Sequence, residues 1–501
     1  MKRRAFVQSA LATAVTAALP ANALWAAAAA ARTRITGDIN AVTGDGNEKV
    51  IEKAVLKELQ ASLRGQILLP GNAGYDAARH GWNGMIDKHP ALIVRCTDAA
   101  DITHAVNLAR DYNLLTAVRA GGHSAAGKSV CEGGIMIDLS QMRGVRVDPN
   151  ARAAWIQPGV LLGALDHETQ LHGLAVPAGV VSHTGAAGLT LGGGFGKLSR
   201  TYGLTVDHTR YFDVVTAAGE FKRANVSENP DLFWGLRGGG GNFGIVTSFE
   251  YQLLPVGTDF LSGAVLHPIR DARATLEFFA EFQEQAPNEL EASCTVVSFP
   301  NGKGFVSVSI FYSGDPAKGE AVVAPLRAFG KPMSDDIGVK KYLDLQQSTD
   351  RNVPYGQQYY LKAGFLNGIE PGLIDAIMRM VGNPKPFTQT INFTQVGGAI
   401  SEFDMRATAY ANRDAKLQIV SGGGWPKPVD EAEAWVAMLR KDWDTIYPYT
   451  KGFYINNMMG DESDQSIRAN FGVNYDRLVE LKNKYDPTNL FRLNANIKPT
   501  V

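Results

Sequence analysis

The chain has 501 residues, of which 45% are apolar, and a formal net charge of −1. That length supports two or three hydrophobic cores, and the balanced charge excludes the broad basic surface of a nucleic-acid binder. The composition gives no reason to expect a metal, and the three cysteines, Cys96, Cys131 and Cys294, read as buried free thiols.

In chain order, Lys2-Arg3-Arg4 precedes an uncharged, alanine-rich stretch ending at Ala31. Residues 1–31 therefore read as a twin-arginine signal peptide, which predicts delivery by the twin-arginine export machinery to a periplasmic or secreted location. Pro20 and the many alanines make the segment a poor membrane span. Periodicity then predicts a linker over 33–47, a helix over 49–63, a strand over 91–96, a helix over 99–112 and a strand over 115–119. Strands follow at 135–139, 145–148 and 153–157, with a helix over 161–172 stopped by Gly173.

Gly239 to Gly244 satisfies G-x-G-x-x-G, but a Rossmann site needs a strand before the pattern and a helix after it. Here 229–236 is helix-like and 245–251 strand-like, so no Rossmann NAD site is expected. Further on, strands at 263–266, 294–299, 305–312, 408–411 and 416–420 alternate with amphipathic helices at 271–285, 317–329, 372–381 and 430–444. This pattern predicts an antiparallel sheet with helices over one face.

Two runs carry the chemistry. Val118-Arg119-Ala120-Gly121-Gly122-His123-Ser124 is a strand breaking into glycines that let backbone N–H groups approach a ligand, with an imidazole directly after the turn. Gly188-Leu189-Thr190-Leu191-Gly192-Gly193-Gly194-Phe195-Gly196 is a glycine-dense loop suited to a pyrophosphate. Together they point to a flavin site.

These runs, with Phe233 to Thr247 and the tail from Asn474 to Phe491, resemble the FAD-linked oxidases of the vanillyl-alcohol oxidase and p-cresol methylhydroxylase superfamily, in the berberine bridge enzyme-like branch. The resemblance implies an α+β chain: a two-part PCMH-type FAD-binding domain over 32–258, a substrate domain over 259–448, and a C-terminal return to the first domain over 449–501. It implies FAD held covalently by His123. Val181 stands where many members carry a second, cysteinyl link, so a single histidyl link is expected. The resemblance further implies cofactor contacts from Arg119, Gly121, Gly122, Ser124, Gly185, Gly188, Leu189, Gly192, Gly193, Gly194, Gly196, Gly244, Ile245, Val246, Asn494 and Asn496.

Tyr454-Ile455-Asn456 resembles the segment from which relatives project a tyrosine over the flavin. Tyr454 is the expected base, with Tyr410 next in line, and Arg413 or Lys416 as the cation that would lower its pKa. Thr184 sits where relatives control dioxygen access, and Gln395 and Gln418 fall on presumed pocket strands. The reading is an oxidase taking hydride from an alcohol, a sugar or a secondary metabolite, with dioxygen as second substrate. A dehydrogenase feeding a periplasmic carrier and a catalytically silent flavin-binding protein are the alternatives.

Overall fold

The computed structural model describes residues 33–426 and 428–501, so the expected signal peptide lies outside the described residues. A four-stranded sheet runs in the order Gln66–Leu68, Leu92–Arg95, Ile135–Asp138, Thr116–Arg119, its last three strands parallel. The runs Leu92-Ile93-Val94 and Ile135-Met136-Ile137 are apolar at every position because both faces are covered. Leu92, Val94, Ile135 and Ile137 pack against Ile102 and Val106 of the helix Ala99–Asp111, while Ile93, Met136 and Ala117 face Tyr75 and Val130. Asp98 caps that helix, its carboxylate accepting from the Asp101 N–H.

The second sheet is antiparallel, in the order Phe221–Asn225, Thr209–Val215, Ile245–Gln252, Ala153–Ile156, Val145–Asp148. A third antiparallel sheet of eight strands begins at Asp259–Pro268 and includes Leu290–Ser298, Gly304–Tyr312, Gln358–Leu366, Thr388–Gln395 and Leu417–Trp425. Period-2 alternation divides its faces. Val296, Val308, Phe393 and Ile419 meet Phe279, Ile377 and Trp443 from the covering helices. Ser293, Thr295, Ser307, Ser309, Asn392 and Thr394 point to the opposite, half-buried face.

The C-terminal residues return to the first two sheets. Lys482 and Asp486, both fully buried, form an ion pair of 2.6 Å, and the ammonium also donates to the carbonyls of Asn242 and Phe491. Asn242 in turn donates to the Ala495 carbonyl and accepts from Ile497 N–H. The glycine run over 238–244 is thus a latch for the tail, lying between the helix Pro230–Leu236 and the strand Ile245–Gln252.

Three expectations need correction. The helix expected over 49–63 starts at Lys53, because Glu48–Ile51 pairs with Ile39–Val42 as a hairpin. Residues 408–411 form no strand: Asn474 Nδ2 donates to the carbonyls of Met405 and Thr408 and holds the segment as a turn. The linker expected over 33–47 contains the strand Ile39–Val42, while Gln395 does lie on a strand, Thr388–Gln395, and Gln358–Leu366 is a further strand of the third sheet.

Candidate active site

Between the first two sheets, and under the third, lies a cavity of about 460 Å³. Thr116, Val118 and Leu139 close it from one sheet, Ile245 and Val246 from another, and Gln418 from the third. Of the residues expected to hold FAD, Gly121, Gly122, His123, Ser124, Gly185, Gly188, Leu189, Gly244, Ile245, Val246 and Asn494 line it, together with Thr184 and Tyr454.

The glycines divide by purpose. A Cβ on Gly121 would lie 2.4 Å from the Gly185 Cα, so there the two runs meet backbone to backbone. At Gly188 and Gly241, both on the cavity wall, a Cβ would meet no atom within 4 Å. Their missing side chains leave room for a ligand, and the cavity fits FAD in that respect. Gly192, Gly193, Gly194 and Gly196 do not line the cavity. A Cβ at these positions would strike Asn456, Tyr410, Thr205 and the Ala178 carbonyl respectively, so this part of the run packs protein against protein.

Arg119 and Asn496 also stand off the wall. Arg119 turns behind Gly122, where its Nη1 donates to the Ala78 carbonyl and its Nε is buried without a partner among the described residues. Cys131 is buried away from the cavity, its thiol pushed up to about 12 by burial and directed to the Ile135 carbonyl.

His123 is fixed by its neighbours. Its ring stacks on Trp82 with centroids 4.8 Å apart, Trp82 stacks on Tyr359 at 4.1 Å, and His123 Nε2 lies 3.1 Å from His183 Nδ1. Burial, followed by the neighbouring His183, pushes its pKa down to about 3, so the imidazole is neutral. The Tyr355 hydroxyl donates to the Gly121 carbonyl. Segment 350–359 therefore reaches from the third-sheet unit back to the histidine turn.

Tyr454 Oη accepts from Asn456 Nδ2 at 2.7 Å and from Gly194 N–H at 3.1 Å, and its ring lies 4.6 Å from that of Phe195. Burial pushes the phenol up to about 12, against the pull of those two donors. The expected cationic helpers are elsewhere. Arg413 is committed to Asp207 through Nη1 at 3.0 Å and Nη2 at 2.6 Å, and Lys416 is exposed. Tyr410 does not reach the cavity: it packs under Gly193 and Gly238, and burial raises its pKa still further than that of Tyr454. Gln395 is a core residue, donating to the Gln283 carbonyl and accepting from Ala292 N–H. Gln418 does line the cavity, and its Nε2 is buried without a partner among the described residues.

Sequence reasoning missed Lys128, on the cavity wall with Nζ donating to the Asn494 carbonyl. It also missed Asn456 as the donor to Tyr454, although the spacing Tyr-x-Asn was the available signal. Nothing in the sequence set His183 apart.

Residues 90–225 match the model of an FAD binding domain, and residues 453–498 match "Berberine and berberine like". An FAD-linked oxidoreductase of Dictyostelium discoideum is 32% identical over 91% of this chain and 99% of its own length. The chain belongs to the berberine bridge enzyme-like FAD-linked oxidoreductases. Another member, (R)-6-hydroxynicotine oxidase of Paenarthrobacter nicotinovorans, is 28% identical over 87% of this chain and 97% of its own.

The crystal structure of 6-hydroxy-D-nicotine oxidase from Arthrobacter nicotinovorans superposes with a TM-score of 0.80 over 87% of this chain and 98% of that one, at 28% identity. Carbohydrate oxidase from Microdochium nivale shares the fold, with a TM-score of 0.80 at 23% identity over 89% of this chain and all of that one. As a berberine bridge enzyme-like oxidoreductase the chain is an FAD-dependent enzyme, with its flavin domain built on the PCMH-type fold.

Proposed function

We propose that the enzyme is an exported oxidase holding FAD through one covalent bond at His123, taking hydride from a hydroxylated small molecule and passing the electrons to dioxygen. The observation that carries this reading is the shared cavity of His123 and Tyr454, with Tyr454 Oη accepting two N–H bonds. Bound flavin supplies the hydride acceptor, while the protein supplies placement and proton transfer. Loss of hydride from a carbinol carbon requires its hydroxyl proton to leave, and Tyr454 is the acceptor on the wall. Asn456 Nδ2 and Gly194 N–H hold its oxygen as a phenolate develops.

Gln418 Nε2, buried without a partner among the described residues, gives the substrate a donor, and Gln418 pairs in register with Thr394 on the hydroxyl-lined face of the third sheet. That polar face supports an alcohol, a sugar or a hydroxylated metabolite over an apolar hydrocarbon. Thr184 on the wall leaves a small side chain beside the path of dioxygen, and the oxidases among the relatives support that acceptor. Val181 supports one link and not two. Export rests on Arg3-Arg4 and the alanine-rich stretch behind them.

An anaerobic screen of sugars, aromatic alcohols and hydroxylated metabolites tests the reading through bleaching of the flavin, followed by admission of air. Fast recovery of the yellow form on aeration is expected. Bleaching that only an artificial carrier reverses would point to a dehydrogenase, and absence of bleaching throughout would point to a flavin-binding protein without this activity.

A further inference from the structure

The contact between His123 and His183 has no part in the proposed hydride transfer, yet it joins two half-buried imidazoles at 3.1 Å, His123 on the cavity wall and His183 behind it. One hydrogen lies between Nε2 of His123 and Nδ1 of His183, and its position sets the tautomer of both rings. With the hydrogen on His123 Nε2, the other nitrogen of His123, Nδ1, keeps its lone pair and can bond to carbon. With the hydrogen on His183, Nδ1 of His123 carries a proton and cannot.

We propose that His183 is the positioning residue for covalent attachment: it holds His123 in the nucleophilic tautomer and accepts the Nε2 proton as the bond to flavin forms. The inference rests on the single link proposed at His123. The 8α methyl gives up a proton to water, His123 Nδ1 bonds to the flavin 8α carbon, and the Nε2 proton passes to His183 Nδ1. The electron pair left by the methyl C–H ends in the isoalloxazine, which is thereby reduced by two electrons. Dioxygen takes those electrons and two protons as hydrogen peroxide and returns the linked cofactor to its oxidised form.

Three observations support this role. Burial keeps His123 neutral, so the proton lost on bonding must find a nearby base, and an adjacent imidazole is the usual activator of a weak nucleophile. Trp82 holds the His123 ring at 4.8 Å and 15°, which fixes the direction of both nitrogens. Asp350 accepts from Ser182 N–H at 2.9 Å and from the Ser182 hydroxyl, anchoring the residue before His183. His183 Nε2 is buried without a partner among the described residues, so nothing else in them dictates its tautomer.

The test uses full-length protein made without riboflavin, mixed with FAD under air. The covalent fraction is followed by acid precipitation, and reversible FAD binding by fluorescence quenching. Wild type and His183→Gln are expected to bind FAD alike, with linkage in His183→Gln slower by roughly 10²–10⁴-fold, the usual contribution of a positioned base. In His183→Ala, free imidazole is expected to restore much of the linkage rate. His123→Ala should bind but never link. Linkage in His183→Gln within threefold of wild type, or flavin recovered on a His183 peptide, overturns the role of His183 while leaving covalent attachment intact. Free FAD released from acid-treated wild type overturns the covalent link itself, and this inference with it.

Discussion

The amide of Asn456 lies 2.7 Å from the Tyr454 phenolic oxygen and also donates to the Leu189 carbonyl at 3.1 Å, which ties the phenol ring to the helix Ala186–Leu191. Removing this donor should make the phenolate harder to form. Asn456→Ala is expected to move the kinetic pKa of flavin reduction upward and to slow reduction at pH 7 by about 1.5–3 kcal/mol in barrier, the value of a hydrogen bond to a charged group. Wild-type reduction should itself accelerate with pH, since burial pushes Tyr454 up to about 12 and the base is the ionised form. Stopped-flow reduction across pH measures both, and an unchanged pH profile in Asn456→Ala would remove Asn456 from the proton path.

Arg413 and Asp207 are each only 1% exposed and join a loop following the Thr388–Gln395 strand to the turn before the Thr209–Val215 strand. Leaving Asp207 as an unpaired buried charge should be costly. Arg413→Leu is expected to lose roughly 3–5 kcal/mol of folding stability. Its pH dependence of flavin reduction should match wild type, because Arg413 does not act on Tyr454. Urea denaturation checks the first statement and stopped-flow the second.

The two classes of glycine predict opposite outcomes. Gly188→Leu adds a Cβ that meets no atom within 4 Å on the cavity wall, so apoprotein stability should hold or rise by about 0.5–1 kcal/mol through relief of glycine's helical entropy cost, while FAD binding falls. In Gly196→Ala the new Cβ would sit 1.9 Å from the Ala178 carbonyl, so that variant should unfold more readily before any question of cofactor arises. Melting curves of the apoproteins and FAD titrations separate the two. Tight FAD binding by Gly188→Leu would place the cofactor elsewhere.

Asp166 is 2% exposed, accepts from Gln346 Nε2 at 3.2 Å, and is pushed by burial from 3.8 up to about 7. The unfolded chain releases this proton near pH 4 and the folded protein only near pH 7. The native state therefore loses stability across that interval as pH rises, by up to roughly 4 kcal/mol. Asp166→Asn keeps the acceptor and offers a donor to the unpartnered Gln346 Oε1. Its gain in melting temperature over wild type should be larger at pH 8 than at pH 4, and an equal gain at both would show that the carboxyl is ionised in the folded state.

The flavin-side elements were legible because their signals are local. The uninterrupted apolar runs at Leu92 and Ile135, the cap at Asp98 and the glycine turn before His123 each state their structure within a few residues. What the sequence could not show was which side chain faces which. Gly192 to Gly194 read as cofactor contacts like Gly188, and only the positions of Asn456, Tyr410 and Thr205 reveal them as packing sites. Arg413 read as a free cation beside the pocket because its partner, Asp207, is 206 residues away in the chain. His183 carried no motif, and its meaning comes from a contact across 60 residues.

In the proposed reaction Tyr454 accepts the substrate proton as hydride leaves for the flavin. The most direct measurement is anaerobic flavin reduction by substrate in Tyr454→Phe, which keeps the ring against Phe195 and removes only the oxygen. Reduction is expected to slow by ~10²–10⁴-fold, with the acceleration at high pH abolished and flavin content unchanged. Reduction within about threefold of wild type at every pH, a barrier change of only ~0.7 kcal/mol, would contradict the assignment.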